Sequence, residues 1–387
     1  MSENERVKTE KTDSFSCPSC GGRMLFDPET QMLKCPYCES TNAIKTIREK
    51  PNEYDINLAP SEDESAWGDV TRVARCQGCG AEIVLTGETT AETCAFCGAP
   101  HVAVDQSKAG IAPESVIPFA VTQKQAVSAF RQWIKRKLFA PSKAKKMAAL
   151  GKIAGVYLPH WTYDADSVSD YIGQEGHHYY VDVPVTVTKD GKTHTEMRRE
   201  QRTDWRPTRG RVSHSFDDVL VAGSTRLPEN LLSRVRPFDL KRLVRYEPEF
   251  ISGFASEKPA VDVKAGWHEA EQIIEGEMHN LAMQDILSHA DEARVTSLNT
   301  ENSQVKYKLT LLPMYLSAFQ FKNKSYHVLV NGQNCRVGGQ APVSALRVLI
   351  AVALVIALIV LLYYLFASGD DSGEVYYYVG RVLSHIC

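Results

Sequence analysis

The sequence predicts an α+β protein: two small four-cysteine units, a domain of mostly antiparallel strands with a long helix, and one C-terminal transmembrane helix. Three observations carry this. CPSCGGRMLFDPETQMLKCPYC, from Cys17, and CQGCGAEIVLTGETTAETCAFC, from Cys76, share one layout, Cys-x2-Cys-x14-Cys-x2-Cys. Segments such as GVYLPHWTYDA and SYHVLVNG are rich in the aromatic and β-branched residues that suit strands. The stretch Val348–Phe366, VLIAVALVIALIVLLYYLF, carries no charge, Gly or Pro.

A chain of 387 residues is long enough for two or three compact units. Its net charge of −3 gives no whole-chain argument for a nucleic-acid binder. Residues 1–14, MSENERVKTEKTDS, lack the apolar run of a secretory signal and read as disordered.

The first four-cysteine unit is expected over residues 15–46 and the second over 73–104. Paired C-x-x-C knuckles in one short segment match a structural zinc site in number and spacing. The ligands are Cys17, Cys20, Cys35 and Cys38, then Cys76, Cys79, Cys94 and Cys97, so two Zn²⁺ are expected per chain. Cys335 and Cys387 stand outside both quartets. Gly21, Gly22, Gly80 and Gly98 follow knuckles, where a tight turn needs positive φ. Between knuckles each quartet forms a hairpin, Met24–Phe26 and Met32–Lys34 flanking DPET in the first, Ile83–Leu85 leading into the turn of the second. Thiolates also suit an iron centre, and C-x-x-C also occurs in redox pairs, although a thioredoxin-like pair has a single C-x-x-C in a βαβ context. A ribbon of about 22 residues cannot fold on its own core, and zinc supplies roughly 10–16 kcal/mol in small finger peptides.

Charge separates the two ribbons. Arg23 and Lys34 balance Asp27 and Glu29 in the first, while the second has Glu82, Glu88 and Glu92 and no cation. Phosphate binding needs clustered cations, so the second ribbon is unsuited to nucleic acid. Residues 47–72, including PSEDES, are acidic and read as a mobile linker.

The α+β domain is expected over residues 105–345. Ser115–Tyr163 contains no Asp or Glu. Thr122 and Gln125 form a capping box for a basic helix over 122–139, with Val127, Phe130, Ile134 and Leu138 on one stripe and Pro141 as the stop. Arg131, Lys135, Arg136, Lys137, Lys143, Lys145 and Lys146 make a basic surface, fitted to anionic lipid or an acidic protein ahead of nucleic acid. HHYYVDVPVTVT turns at KDGK into THTEMRREQRTDW, short helices and loops fill 215–254, and a helix covers Asp262–Ser288 with Trp267, Ala270, Ile274, Met278 and Leu281 on one face. VKYKLTLLPMYLSAFQF and SYHVLVNG close the sheet around a KNK turn. The histidines, among them His160, His178 and His214, are scattered, with no H-E-x-x-H. GKT at Gly191–Thr193 lacks the rest of a phosphate-binding loop, so no ATPase or helicase chemistry is expected.

The apolar run Val348–Phe366 spans roughly 28 Å as a helix, close to the hydrocarbon thickness of a bilayer. Its Leu, Ile, Val and Phe favour insertion by roughly 4–8 kcal/mol. The membrane helix is expected over 346–367, with the tail 368–387 on the far side. Lys322, Lys324, Arg336 and Arg347 precede it while Asp370, Asp371 and Glu374 follow, so the N-terminal part is expected in the cytoplasm of a single-pass inner-membrane protein. Cytoplasmic thiols stay reduced, which weighs against disulfides.

CPSCGG…CPYC, GVYLPHWTYDADSVSDYIGQEG and LLPMYLSAFQFKNKSYHVLVNGQNCRVGGQAP resemble a bacterial family of TFIIB-type zinc-ribbon membrane proteins. Members often carry the label primosomal protein N′ or superfamily II helicase-like, a label resting on ribbon similarity and not supported by the motifs above. This chain departs from the family in having two full ribbons and a long tail. The resemblance implies a neighbourhood of phage-shock-protein-A-like and SPFH membrane-scaffold proteins and a role in envelope stress. The reading that follows is a non-enzymatic adaptor that recruits proteins at the membrane. A tethered nucleic-acid-binding regulator, or an enzyme with a site in the α+β domain, is the alternative.

Overall fold

The computed structural model describes residues 15–45, 50–59, 72–77, 79, 81–85, 94, 96, 102–105, 111–150, 153–189, 192–322 and 324–367. Residues 1–14, Cys97 and the tail 368–387 lie outside the described residues. The fold is α+β, mostly antiparallel, with one apolar C-terminal helix.

The first quartet surrounds a hairpin, β1 (Leu25–Asp27) and β2 (Met32–Lys34), to which β3 (Thr41–Asn42) adds. Asp27 closes the turn by accepting from the Glu29 amide and the Thr30 hydroxyl. β4 (Tyr54–Asp55) follows, and the second quartet contributes β5 (Arg72–Cys76), β6 (Glu82–Leu85) and β7 (Val102–Asp105). Beyond β8 (Ser115–Val116) come two helices, α1 (Gln123–Arg136) and α2 (Ser142–Leu150). The capping box is present: Thr122 accepts from the Gln125 amide and Gln125 accepts from the Thr122 amide. The basic helix is therefore shorter than its sequence suggests. It ends at Arg136, and Leu138, past the end, is 76% exposed and off the buried stripe of Ala126, Phe130 and Ile134.

Three long strands form the frame. β9 (Ala154–Lys189) has 36 residues, β10 (Lys192–Ala222) has 31, and β13 (Glu292–Phe321) has 30. β9 alone extends about 120 Å at 3.3 Å per residue. Between β10 and β13 lie α3 (Glu229–Leu232), β11 (Val244–Arg245), β12 (Ala255–Glu257) and α4 (Val263–Leu287). β14 (Lys324–Asn331), β15 (Val337–Gly339) and α5 (Ala345–Ala367) complete the chain.

The sequence picks out two strand segments, GVYLPHWTYDA and HHYYVDVPVTVT, where β9 is one strand that runs on through Gly173 and Gly176. Both glycines are close-approach positions. A Cβ on Gly173 would lie 2.5 Å from the Arg294 carbonyl and 2.9 Å from Ile286, and one on Gly176 would lie 2.8 Å from Thr203. β10 likewise runs through to Ala222 where loops and short helices are expected from 215, carried past a bulge between Phe216 and Val219. β13 starts at Glu292, ahead of the expected start at Val305.

α4 lies along the ribbon β10–β9–β13. Val263, Gly266, Ala270, Ile274, Met278, Ala282 and Ile286 recur at helical spacing and are all buried. Asp262 caps it by accepting from the Lys264 and Ala265 amides. Under it, Trp161, Tyr163, Ala165, Ser167, Ser169 and Tyr171 alternate toward the helix. Tyr163 donates to the Val263 carbonyl at 2.6 Å near one end, and Tyr171 donates to Asp285 at 2.6 Å near the other. The opposite face is open: Val168 is 38% and Ile172 58% exposed.

Helix cover and the third strand stop together. Glu292 of β13 pairs with Gly176, and α4 ends at Leu287. Residues 177–189 and 192–204 continue alone as a two-stranded arm. His178 donates its amide to Asp291 on the β13 side, so even-numbered amides of this stretch face away from β10. Pro184 occupies such a position, and Pro207, opposite Gln174, occupies the equivalent one on β10. Both prolines thus remove a donor from an open edge, which discourages edge-to-edge pairing.

The segment read as a mobile linker is docked where it is described. Tyr54–Asp55 pairs with Lys306–Tyr307 of β13, and Glu53 lies 3.0 Å from the buried Lys308 ammonium. α5 is long and apolar enough to cross a membrane, and its side chains are exposed, Leu354 by 66% and Leu349 by 65%.

Ile274 is fully buried between α4 and the ribbon. Ile274→Ala is expected to cost about 2–5 kcal/mol, read as a lower urea midpoint by circular dichroism.

Candidate metal centres

In the first quartet Gly21 has φ +73°, and its amide donates to the Cys17 carbonyl at 2.8 Å. The second knuckle repeats this with a residue the sequence does not flag: Glu39, at φ +60°, donates to the Cys35 carbonyl at 3.0 Å. These turns bring four sulfurs together. Cys17 and Cys38 Sγ are 3.4 Å apart and Cys20 and Cys35 Sγ 3.5 Å apart, and all four ligand atoms lie within 4.8 Å of one another. A tetrahedral site with metal–sulfur bonds of about 2.3 Å has sulfur–sulfur edges of about 3.8 Å, whereas a disulfide is about 2.05 Å. The donor set therefore fits a metal ion.

Electrostatics around these sulfurs is uneven. Ser40 Oγ lies 2.9 Å from Cys17 Sγ and 3.2 Å from Cys38 Sγ. That hydroxyl chiefly draws Cys17 down to about 6 and lowers Cys38 as well. Cys20, despite a hydrogen bond from the Gly22 backbone, is pushed up to about 12 by the neighbouring thiols of Cys35 and Cys38. Four adjacent thiolates repel one another, and a bound cation removes that conflict. Ser40 carries no motif signal and was not legible as a partner of the site.

The second quartet follows the same plan where it is described. Cys76, Cys79 and Cys94 form one group within 4.8 Å, with Cys79 and Cys94 Sγ 3.7 Å apart. The Cys76 amide donates to the Ala81 carbonyl at 2.9 Å. Cys97, the expected fourth ligand, lies outside the described residues.

Neither quartet stands apart from the body. Cys17, Met24, Phe26, Leu33 and Cys35 join one core with Phe119, Tyr157 and Phe250. Phe26 donates its amide to Ser252, whose hydroxyl donates to the Met24 carbonyl at 2.9 Å. Cys76, Ala81, Ile83, Cys94 and Phe96 join another core with Val156, Leu158 and Leu231. β6 pairs with β12, and β12 pairs in parallel with Val156 and Tyr157 of β9, so the strands of the second quartet extend the main sheet. Arg226 donates to the Cys79 carbonyl at 3.0 Å from the far side.

A third cluster has another explanation. Asp164, Asp217 and Asp218 converge at the β10 bulge. Lys308 Nζ lies 2.6 Å from Asp218 and 3.0 Å from Glu53, so an ammonium already supplies the positive charge. Burial holds Asp164 up at about 6.

His177 and His289 both meet Glu175, at 3.4 and 3.2 Å, while the histidines singled out by the sequence lie apart from one another. His160 is 1% exposed, its Nδ1 3.2 Å from the Leu158 carbonyl, and burial lowers it to about 4. His178 lies 2.8 Å from Glu292, and His214 packs on Phe216. The basic residues split between two helices: Arg131, Lys135 and Arg136 on α1, Lys143, Lys145 and Lys146 on α2, and Lys137 between them over the Trp133 ring at 4.7 Å.

Cys35→Ser and Cys76→Ser are each expected to lower the metal content of the purified chain by about one equivalent, measured by mass spectrometry of the elements. A separate prediction concerns Glu257 on β12, opposite Ile83. Burial holds its carboxyl up at about 7, against a Ser224 hydrogen bond, from an ordinary 4.5. Its contribution to stability is therefore full below pH 4.5 and is lost as pH rises through 7. Glu257→Gln is expected to match the parent at pH 4 and to exceed it at pH 8 by about 3 kcal/mol, seen as a higher thermal midpoint.

No family model matches the chain, and no solved structure matches it. Among curated proteins it is similar to the uncharacterized protein YdjG of Bacillus subtilis (strain 168), 26% identical over 337 residues, covering 86% of this chain and 90% of that protein.

Proposed function

We propose that the chain is a membrane-anchored, zinc-stapled adaptor that holds partner proteins at the cytoplasmic face of the bilayer. The observation that carries this reading is the division of labour in the fold. The cysteine quartets are built into the cores, while the arm formed by 177–189 and 192–204 extends past the helix and the third strand and is exposed.

A two-stranded ribbon without helix cover buries little of itself and is marginal alone in water. This one presents Tyr179, Tyr180 and Met197, exposed by 46%, 55% and 65%. Arg199 stacks over the Tyr180 ring at 4.4 Å. Exposed aromatic and methionine side chains with an arginine are the composition of protein-binding surfaces. With Pro184 blunting one edge of the arm and Pro207 the β10 edge just before it, recognition falls to the faces of the arm, through side chains. The sequence suggests partner binding by the ribbons and the acidic linker, with the α+β domain as a docking surface; the docked quartets and the docked Glu53–Asp55 favour the last of these, through the arm.

Zinc is the ion of choice for four cysteines at tetrahedral edge distances in a reducing compartment. α5 supplies the anchor, and the Lys and Arg before it favour a cytoplasmic body. Membrane-scaffold proteins of the phage-shock-protein-A-like or SPFH kind are the proposed partners, on the family resemblance.

The test replaces residues 178–203 with a two-residue turn and isolates the full chain from native membranes in mild detergent. Membrane-scaffold proteins are expected to co-purify with the parent and not with the shortened chain, while both keep two zinc ions and resist alkaline extraction. Equal recovery of those partners by the shortened chain contradicts the role of the arm.

A further inference from the structure

We propose that the corner between α1 and α2 is a bilayer-docking surface that inserts apolar side chains among anionic phospholipid headgroups. The inference rests on the reading that Val348–Phe366 spans a bilayer, and it adds a second point of contact to that anchor.

The corner is pinned to the entry of α5. The Ser344 amide donates to the Phe139 carbonyl at 2.9 Å. Arg347 donates through Nη1 to the Leu138 and Ala140 carbonyls, at 3.1 and 2.7 Å, and through Nη2 to the Ser142 hydroxyl at 2.7 Å. Ser344 precedes the apolar run by four residues, about 6 Å of helix. The polar layer on each side of a bilayer is about 5–8 Å thick. The corner is thus held at headgroup depth whatever the tilt of the rest of the body.

Its side chains suit that depth. Leu138 is 76% exposed, Phe139 43% and Met147 45%, three large apolar groups on one short corner. Around them Lys135, Arg136, Lys143 and Lys146 are exposed. Two neighbouring cations have other tasks: Lys145 donates to the Lys135 carbonyl at 2.9 Å, and Lys137 lies over Trp133. No Asp or Glu occurs from Ser115 to Tyr163 to offset this charge. Apolar side chains that would be a liability in water, ringed by unopposed cations beside a membrane helix, complement an anionic leaflet.

The test uses the full chain in lipid nanodiscs, with Phe139→Trp as a depth probe and acyl-chain-brominated lipid as quencher. In discs containing phosphatidylglycerol the added tryptophan signal, taken against the parent, is expected to be blue-shifted and quenched. In pure phosphatidylcholine the quenching is expected to weaken. Combining Lys135→Glu, Arg136→Glu, Lys143→Glu and Lys146→Glu is expected to abolish the difference between the two lipids while zinc content stays at two. An integrated chain whose signal is unquenched in both lipids overturns the docking surface alone. Equal quenching in both lipids overturns the requirement for anionic headgroups. A chain removed by alkaline carbonate overturns the membrane span and the docking with it. If quenching is absent and the four cations instead govern binding of a labelled DNA duplex, the surface belongs to nucleic acid.

Discussion

Strand β9 hydrogen-bonds on both of its edges, and the place of almost every other unit follows from the stretch of β9 it meets. One edge is taken by β13 from Ala154 to Gly176. The other is shared in sequence, with β12 at Val156–Tyr157 and β10 from His160 onward. The first residues of β9 therefore hold the second cysteine quartet, through β12 and β6, and contribute to the cores of both quartets. Its middle carries the aromatic face under α4. Its end carries nothing but β10, and becomes the arm. A strand of 36 residues is far beyond the usual 3–10, and it persists because partners cover its first two thirds.

This arrangement gives the metal centres a consequence beyond their own hairpins. The buried members, Cys35 at 0% and Cys76 at 1% exposure, sit in the walls of cores they share with the sheet. A metal ion that closes a knuckle also fixes the apolar side chains beside it, Met24 and Phe26 in one case and Ile83 and Phe96 in the other. Metal binding is then coupled to packing of the body, as in small metal-dependent domains. The arm, by contrast, lies beyond α4 and shares no core residue with either quartet.

The sequence made the local devices legible and hid the long-range ones. The Thr122–Gln125 capping box, the α4 limits at Asp262 and Ser288, and the cysteine spacing each depend on local sequence. What failed depended on partners far along the chain. GVYLPHWTYDA and HHYYVDVPVTVT read as separate segments, yet they join into one strand through Gly173 and Gly176, which Arg294, Ile286 and Thr203 crowd. The Glu53–Asp55 segment looks like solvated linker until Lys308, buried on β13, is known to need its charge. Glu39 shows no glycine-like signal, yet it takes the left-handed turn that Gly21 takes in the matching knuckle. For the candidate sites, ligand identity was readable from spacing, while burial of the quartets and the position of Leu138 at the entry to α5 were not.

The account stands on the metal ions being coupled to the body through β9, and hydrogen exchange with and without chelator measures this directly. Chelation is expected to raise exchange at β5, β6, β12 and Val156–Leu158, while amides of β9 and β13 beneath α4, from Ala165 to Tyr171, keep their protection. Unchanged exchange at β12 and β9 after the metal is gone would contradict the account, since the quartets would then be independent modules resting on a body that does not need them.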